Sequence, residues 1–188
     1  QVWPKCVVFF QLFVDLLAAT PSIVYGLFGN LFFNEILGMG YSILSGGLTL
    51  ACMVLPLVVQ SLYASFRQLP LILRQAVKAT GVSQWTFVFH FLINLAIPHL
   101  ILAFVLALGR AMAETAALLF TSGYSDRLPD GFLDPGRTLS IHIYDLAMNV
   151  LGGDKNAQLS AFVLLITLLI INVLAASVSQ WNQKKTNH

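Results

Sequence analysis

Arg67-Gln-Leu-Pro-Leu-Ile-Leu-Arg-Gln-Ala-Val-Lys-Ala-Thr-Gly81 leads into a Ser83-initiated aromatic segment and then an apolar run to Phe120. Two charges, Arg110 and Glu114, sit within that run. Pro70 suits the first turn of a helix. Leu71, Ile72, Gln75, Ala76 and Ala79 follow at roughly helical spacing. Gly81 fits the position just past a helix end, and Ser83 can cap a second short helix through Trp85 and Phe89. The pattern is helix, glycine, helix: basic and partly apolar. Leu71, Leu73, Val82 and Trp85 need cover, either from lipid headgroups or from a docked cytoplasmic partner. Charges inside a membrane segment face the bundle interior or a watery cavity and mark function by default. A basic helical loop followed by embedded charges points to a transport subunit.

The rest of the composition agrees with a membrane protein. The 188 residues are 57% hydrophobic and 10% charged, with a mean hydropathy of +0.80, whereas a soluble domain carries about 25% charged residues. Lipid must cover much of this surface. The sequence opens on Gln1 without an initiator Met, and the chain is expected to be an N-terminally truncated part of a longer protein. Lys5 and the apolar run after it could mimic a signal peptide, but Asp15 inside the run argues against one. Cys6 and Cys52 lie in different apolar segments and are expected to be small buried hydrophobes. His90, His99 and His142 have no ligand spacing, so neither a metal nor a cofactor is expected.

Hydropathy predicts an all-α polytopic bundle of about four spans, at 6–33, 43–63, 92–120 and 158–179. The first is expected to break near Pro21, which lacks a backbone donor and disfavours helix at Thr20. Its Gly26-Leu-Phe-Gly29 segment is expected inside protein. Asn34 to Tyr41 reads as a glycine-punctuated turn. Gly46-Gly47 allows close helix approach, and Pro56 is a possible kink. The 64–91 loop carries Arg67, Arg74 and Lys78 with no acid, and Lys184 and Lys185 sit in the tail. The 121–157 segment carries Asp126, Asp130, Asp134, Asp145 and Asp154 against Arg127, Arg137 and Lys155, and is expected to be a solvated outer loop. The positive-inside rule places Lys5, the basic loop and the tail in the cytoplasm, with correct parity for four spans.

The loop resembles the coupling loop of ABC importer permeases, whose pattern is Glu-Ala-Ala, three residues, Gly, nine residues, Ile-x-Leu-Pro. Gln75-Ala76-Val77 stands at the Glu-Ala-Ala position, Gly81 at the required distance and Phe91-Leu92-Ile93-Asn94 at the last block. Gln75, Val77 and Asn94 depart from the pattern. Gly109-Arg-Ala-Met-Ala-Glu-Thr-Ala-Ala-Leu-Leu-Phe-Thr121 is similar to the Arg-Ala-x-Gly-Glu-Thr-Ala-Pro-Leu-Leu-Phe-Thr signature of phosphate importer permeases of the PstA type. Thr20-Pro-Ser-Ile-Val-Tyr-Gly-Leu-Phe-Gly29 and Leu139-Ser-Ile-His-Ile-Tyr144 match two further blocks of that family. Ala113 for Gly and Ala117 for Pro depart from the signature, and the latter puts helix bending near Ala117 in question.

The resemblance implies one MetI-like permease domain over 1–188, lacking the first two of six spans, with 64–91 as its cytoplasmic coupling loop. It implies a multi-pass protein of a bacterial or archaeal inner membrane that moves inorganic phosphate. Its implied partners are two copies of an ATPase subunit, a second permease subunit as heterodimer, an extracytoplasmic phosphate-binding protein and the lipid bilayer, with no nucleic acid. Gln75, Ala76, Ala79, Gly81 and Trp85 would meet the ATPase. No Gly-x-x-x-x-Gly-Lys-Ser/Thr loop occurs, so ATP chemistry is expected on other chains and this chain is not expected to be an enzyme.

On a helix turning about 100° per residue, Ala103, Ala107, Arg110, Glu114, Ala117 and Thr121 share one narrow face. Small residues mark close helix packing or a pore wall. Arg110 and Glu114 could form a structural pair one turn apart. Alternatively Arg110 guides an oxyanion, whose geometry guanidinium matches, while Glu114 keeps it from becoming a trap. On that reading Arg110, Glu114, Thr115 and Thr121 belong to the translocation path. The two readings can both hold in part. Asp15 could cap, pair with another span or meet water. Alternatives in function are a permease for molybdate or sulfate, a passive channel, which has no use for a docking loop, and a membrane enzyme. Ser45, His90 and Glu114 lie on separate segments without a nucleophile motif, which disfavours the last.

Overall fold

The computed structural model describes residues 4–67 and 93–186. Among these the chain is helix and turn only. Helix α1 spans Pro4–Ala19, and α2 spans Ser22–Gly29, running on into a π-helical stretch, Asn30–Ile36. Helices α3 (Ile43–Arg67), α4 (Ile93–Ala113), α5 (Ala116–Thr121), α6 (Leu139–Met148) and α7 (Asp154–Thr186) follow.

The first expected span breaks where Pro21 dictates. The α1 axis and the α2–π segment meet at 93°. Pro21 has no N–H to give the carbonyl four residues back, that of Leu17. Two other donors serve it: Thr20 N at 3.1 Å and the Tyr25 hydroxyl at 2.9 Å. An unsatisfied carbonyl at membrane depth costs several kcal/mol, so Tyr25 makes the corner tolerable. Gly26 and Gly29 are buried as expected, but Leu27 and Phe28 between them point outward.

Two helices are long and apolar enough to cross a membrane among the described residues: α3 over Ile43–Ala64 and α7 over Asp154–Leu174. The bent pair makes a third if counted as one. Helix α3 runs unbroken through Pro56 and continues to Arg67, beyond the expected end at residue 63. The expected span at 92–120 is not one helix. It stops at Ala113 and restarts at Ala116. The 121–157 segment is not simply a solvated loop either. Thr138 accepts from Ile141 N at 3.4 Å and starts α6, in which Ile141, Ser140 and Asp145 are buried.

The interior combines many small and polar residues with a few large ones, Tyr25, Phe33, Met53, Leu118 and Ile141. Ser42, Ser45, Thr49, Ala103, Ala107, Ala117 and Thr121 are buried, while Phe9, Phe104, Phe162, Leu165 and Leu169 are exposed. This is the distribution expected when helices pack through small residues and lipid covers the outside. Helix α2 lies on α5, α3 packs against α1, α4 and α5, and α7 leans on α4 and α6. At Gly26 a Cβ would sit 2.8 Å from Ala117 Cα, and at Gly46 one would sit 2.7 Å from Ser122 Cβ. Gly47 has nothing within 4 Å, so only the first of the Gly46-Gly47 pair serves close approach. Cys6 and Cys52 are exposed, contrary to expectation, and Cys52 lines an open cavity with Tyr25 and Phe28 of α2.

Candidate functional site

The break between α4 and α5 is where the charges lie. Glu114 and Thr115 leave the helical path, and Thr115 has φ −116° and ψ −49°. A broken helix exposes orphan amides and carbonyls. The Glu114 carboxylate takes one of them, accepting from Ala117 N at 3.3 Å across the break. The Glu114 carbonyl accepts from the Ser140 hydroxyl on α6 at 2.6 Å. Glu114 N donates to Ala111 O at 3.2 Å, and Leu119 N to Thr115 O at 3.0 Å. The break is thus a built feature, fixed by α6 on one side and by α2 on the other.

Arg110 occupies the last turn of α4 and is exposed. It makes no ion pair with Glu114: among the described residues the ion pairs all belong to Arg137. Glu114 is committed to α5 instead. Arg110 is therefore a guanidinium with no carboxylate partner among the described residues. Breaking the helix also dissolves the single stripe drawn from a continuous one. Ala103 and Ala107 are buried along α4, whereas Ala117 and Thr121 belong to α5. Ala117 lies under Gly26. The Thr121 methyl lies 2.8 Å from where a Gly29 Cβ would be, and its hydroxyl donates to Ala117 O at 2.8 Å. These small residues serve close helix packing.

Of the four residues expected on a path, Arg110 is exposed, Glu114 and Thr115 are half-buried, and Thr121 lies wholly within the chain's own packing. Gln75, Ala76, Ala79, Gly81 and Trp85 lie outside the described residues. Asp15 has a partner on α3: Gln60 Nε2 donates to its Oδ1 at 2.8 Å, beside a cavity of about 330 Å³ between α1 and α3.

Two polar clusters escaped the sequence reading. Around Asn34, buried polar groups join the π-helical stretch to α3 and α5. In the 121–157 segment, Arg137 meets Asp126 at 2.6 Å and Asp145 at 2.8 Å. Tyr124 donates to Asp145, Asn149 Nδ2 reaches the same carboxylate at 2.9 Å, and the guanidinium lies 5.8 Å from the Tyr124 ring centre. The eight-residue spacing of Arg137 and Asp145 gives no periodic signal. The one usable sign was Thr138 as a helix cap.

The sequence pattern of the family described as binding-protein-dependent transport system inner membrane component matches residues 8–188. The chain belongs to this family. It is 34% identical over 192 residues to a probable ABC transporter permease protein, YqgI, of Bacillus subtilis, covering 94% of this chain and 65% of that protein. A phosphate transport system permease protein PstA homolog of Mycoplasma genitalium is 29% identical over 174 residues, 89% of this chain and 27% of the relative. A phosphate transport system permease protein PstA of Xylella fastidiosa is 31% identical over 160 residues, 82% of this chain and 56% of the relative. The chain thus spans less than two thirds of the length of each of these relatives.

Proposed function

We propose that this chain is part of the membrane permease of an ATP-driven importer of inorganic phosphate in a bacterial inner membrane, and that Arg110 lies on the anion's path. The observation that carries the reading is the exposed guanidinium beside a helix break, with no carboxylate partner among the described residues, in a member of a transport-system family. A charge in an apolar helix is retained where a partner or a water-filled cavity meets it, and guanidinium binds tetrahedral oxyanions through parallel N–H donors. Glu114, a turn away yet not paired, supplies a negative charge that keeps anion residence short. Phosphate is supported by the names of the PstA relatives. The B. subtilis relative's name gives no substrate, and sulfate or molybdate would satisfy the same guanidinium. On this reading two ATPase subunits dock at 64–91, a second permease subunit completes the pore, and a binding protein delivers phosphate on the opposite face.

The test is uptake of labelled phosphate, sulfate and molybdate by the full-length permease with its partners, scaled to assembled complex. Arg110→Gln is expected to lower phosphate uptake about ten-fold or more with assembly intact. Glu114→Gln keeps an oxygen for Ala117 N and removes only the charge, so it is expected to lower both the apparent KM and the maximal rate. Recovery of uptake in the double variant would show that the two charges matter only by balancing each other and would reject a direct role for Arg110 on the path. Uptake of sulfate or molybdate in place of phosphate would reassign the substrate.

A further inference from the structure

Asn34 is only 8% exposed, and its side-chain amide is fully engaged. Nδ2 donates to Asn30 Oδ1 at 2.9 Å and reaches the backbone carbonyls of Phe120 at 3.3 Å and Thr121 at 3.5 Å. Oδ1 accepts from the Ser45 hydroxyl on α3. An amide nitrogen has two hydrogens, so one serves Asn30 and the other is shared between the two carbonyls. A flipped amide would turn its oxygen against both carbonyls, so the orientation is unique.

Those carbonyls are the C-terminal end of α5, a six-residue helix with orphan acceptors and no room to bury them in turns of its own. Ser42 N supplies the other donor to Thr121 O, at 3.2 Å. Helix α5 is therefore held at both ends by other elements: Asn34 and Ser42 at its C-terminus, and the Glu114 carboxylate with Ser140 behind it at its N-terminus. Between these ends Gly26 and Gly29 leave no slack, since added Cβ atoms would strike Ala117 and Thr121. A shift at the C-terminal end of so short and tightly seated a helix moves its N-terminal end, and with it the break that begins one turn after Arg110.

We infer that Asn34 is a positioning residue for anion transfer: by closing the C-terminal end of α5 it sets where the α4–α5 break, and hence Arg110, stands on the path. The inference rests on the proposed role of Arg110. It assigns to the π-helical stretch a task that neither charge nor motif disclosed.

The test is a kinetic cycle in the full-length permease assembled with its ATPase and second permease subunit, with uptake measured per assembled complex over a range of phosphate concentrations. Asn34→Leu is expected to raise the apparent KM about three-fold or more and to lower uptake about ten-fold. In an Arg110→Lys background, where the bidentate geometry is already lost, the same substitution is expected to cost less than about two-fold further. A residue that only supports the fold would reduce the amount of complex, leave the apparent KM unchanged and multiply its loss with that of Arg110→Lys; either of the last two results overturns the inference. If Asn34→Leu does not assemble, Ser45→Ala, which removes only the donor to the Asn34 oxygen, replaces it. A KM shift of about two-fold that disappears in Arg110→Lys supports positioning, and an unchanged KM overturns it. The underlying role of Arg110 fails separately, if Arg110→Gln alone leaves phosphate uptake at the wild-type level.

Discussion

Replacing Gly26 by Ala tests the seat on which α5 rests. The new Cβ would lie 2.8 Å from Ala117 Cα, 3.2 Å from Ala117 O and 3.3 Å from Ala116 O, all backbone atoms that cannot swing aside. Carbon atoms rest at about 3.5–4.0 Å, so α2 and α5 must part by roughly 0.7–1.2 Å. Overpacking of this size costs about 1–3 kcal/mol, and the helical gain of Ala over Gly returns about 0.5–1 kcal/mol. The net loss is about 0–2.5 kcal/mol, or up to roughly 10 °C in Tm for a chain of this size. The assay is thermal unfolding of the purified full-length permease in detergent, alongside Gly47→Ala. At Gly47 nothing lies within 4 Å, so that variant is expected to melt at or slightly above the wild type. Gly26→Ala melting no lower than Gly47→Ala would refute the account of the α2–α5 contact.

Arg137→Gln leaves Asp145, whose side chain is 10% exposed, without its cation and is expected to cost about 3 kcal/mol. Asp126→Asn, on a side chain 79% exposed, is expected to cost less than about 1 kcal/mol, so equal Tm shifts would contradict the assignment of the Asp145 arm as the structural one. For orientation, Lys78→Cys and Asp130→Cys are placed in a full-length permease whose Cys6 and Cys52 are Ser. An impermeant thiol reagent added outside is expected to label position 130 and not position 78, and the reverse pattern would invert the topology.

The corner at Thr20–Pro21 was legible because proline acts locally: it removes a donor that no context can restore. The long spans α3 and α7 were legible from hydropathy, which needs no partner. The break at Glu114–Thr115 was not legible. Ala111, Met112, Ala113, Ala116 and Ala117 are all residues that favour helix, and no proline stands at Ala117 to interrupt it. What stops the helix is tertiary: Ser140 on the Glu114 carbonyl, the Glu114 carboxylate on Ala117 N, and Gly26 admitting α5. The stripe of small residues was therefore drawn on a continuous helix that the structure interrupts. Arg110 was identified as a residue of interest, but its separation from Glu114 depends on where that carboxylate finds a donor, which spacing along one helix cannot reveal. Asn34 looked like the start of a turn because Asn commonly is one; its contacts lie at Phe120 and Thr121, far along the chain.

The π-helical stretch Asn30–Ile36 stores its information as a count. A π-turn spans i to i+5, as Leu37 N to Phe32 O does here at 3.0 Å, and so holds one residue more than an α-turn. Exchanging Leu31 or Phe32, both exposed, for another lipid-soluble side chain leaves that count intact. Deleting either lets the segment close into an ordinary α-helix, which needs one residue fewer per turn, so the loss of a residue and the tighter winding offset each other and Asn34 stays near its place. An inserted residue meets no such offset and would swing Asn34 by about 100° relative to α2, away from the end of α5. This stretch is therefore lenient toward spelling and strict about added length.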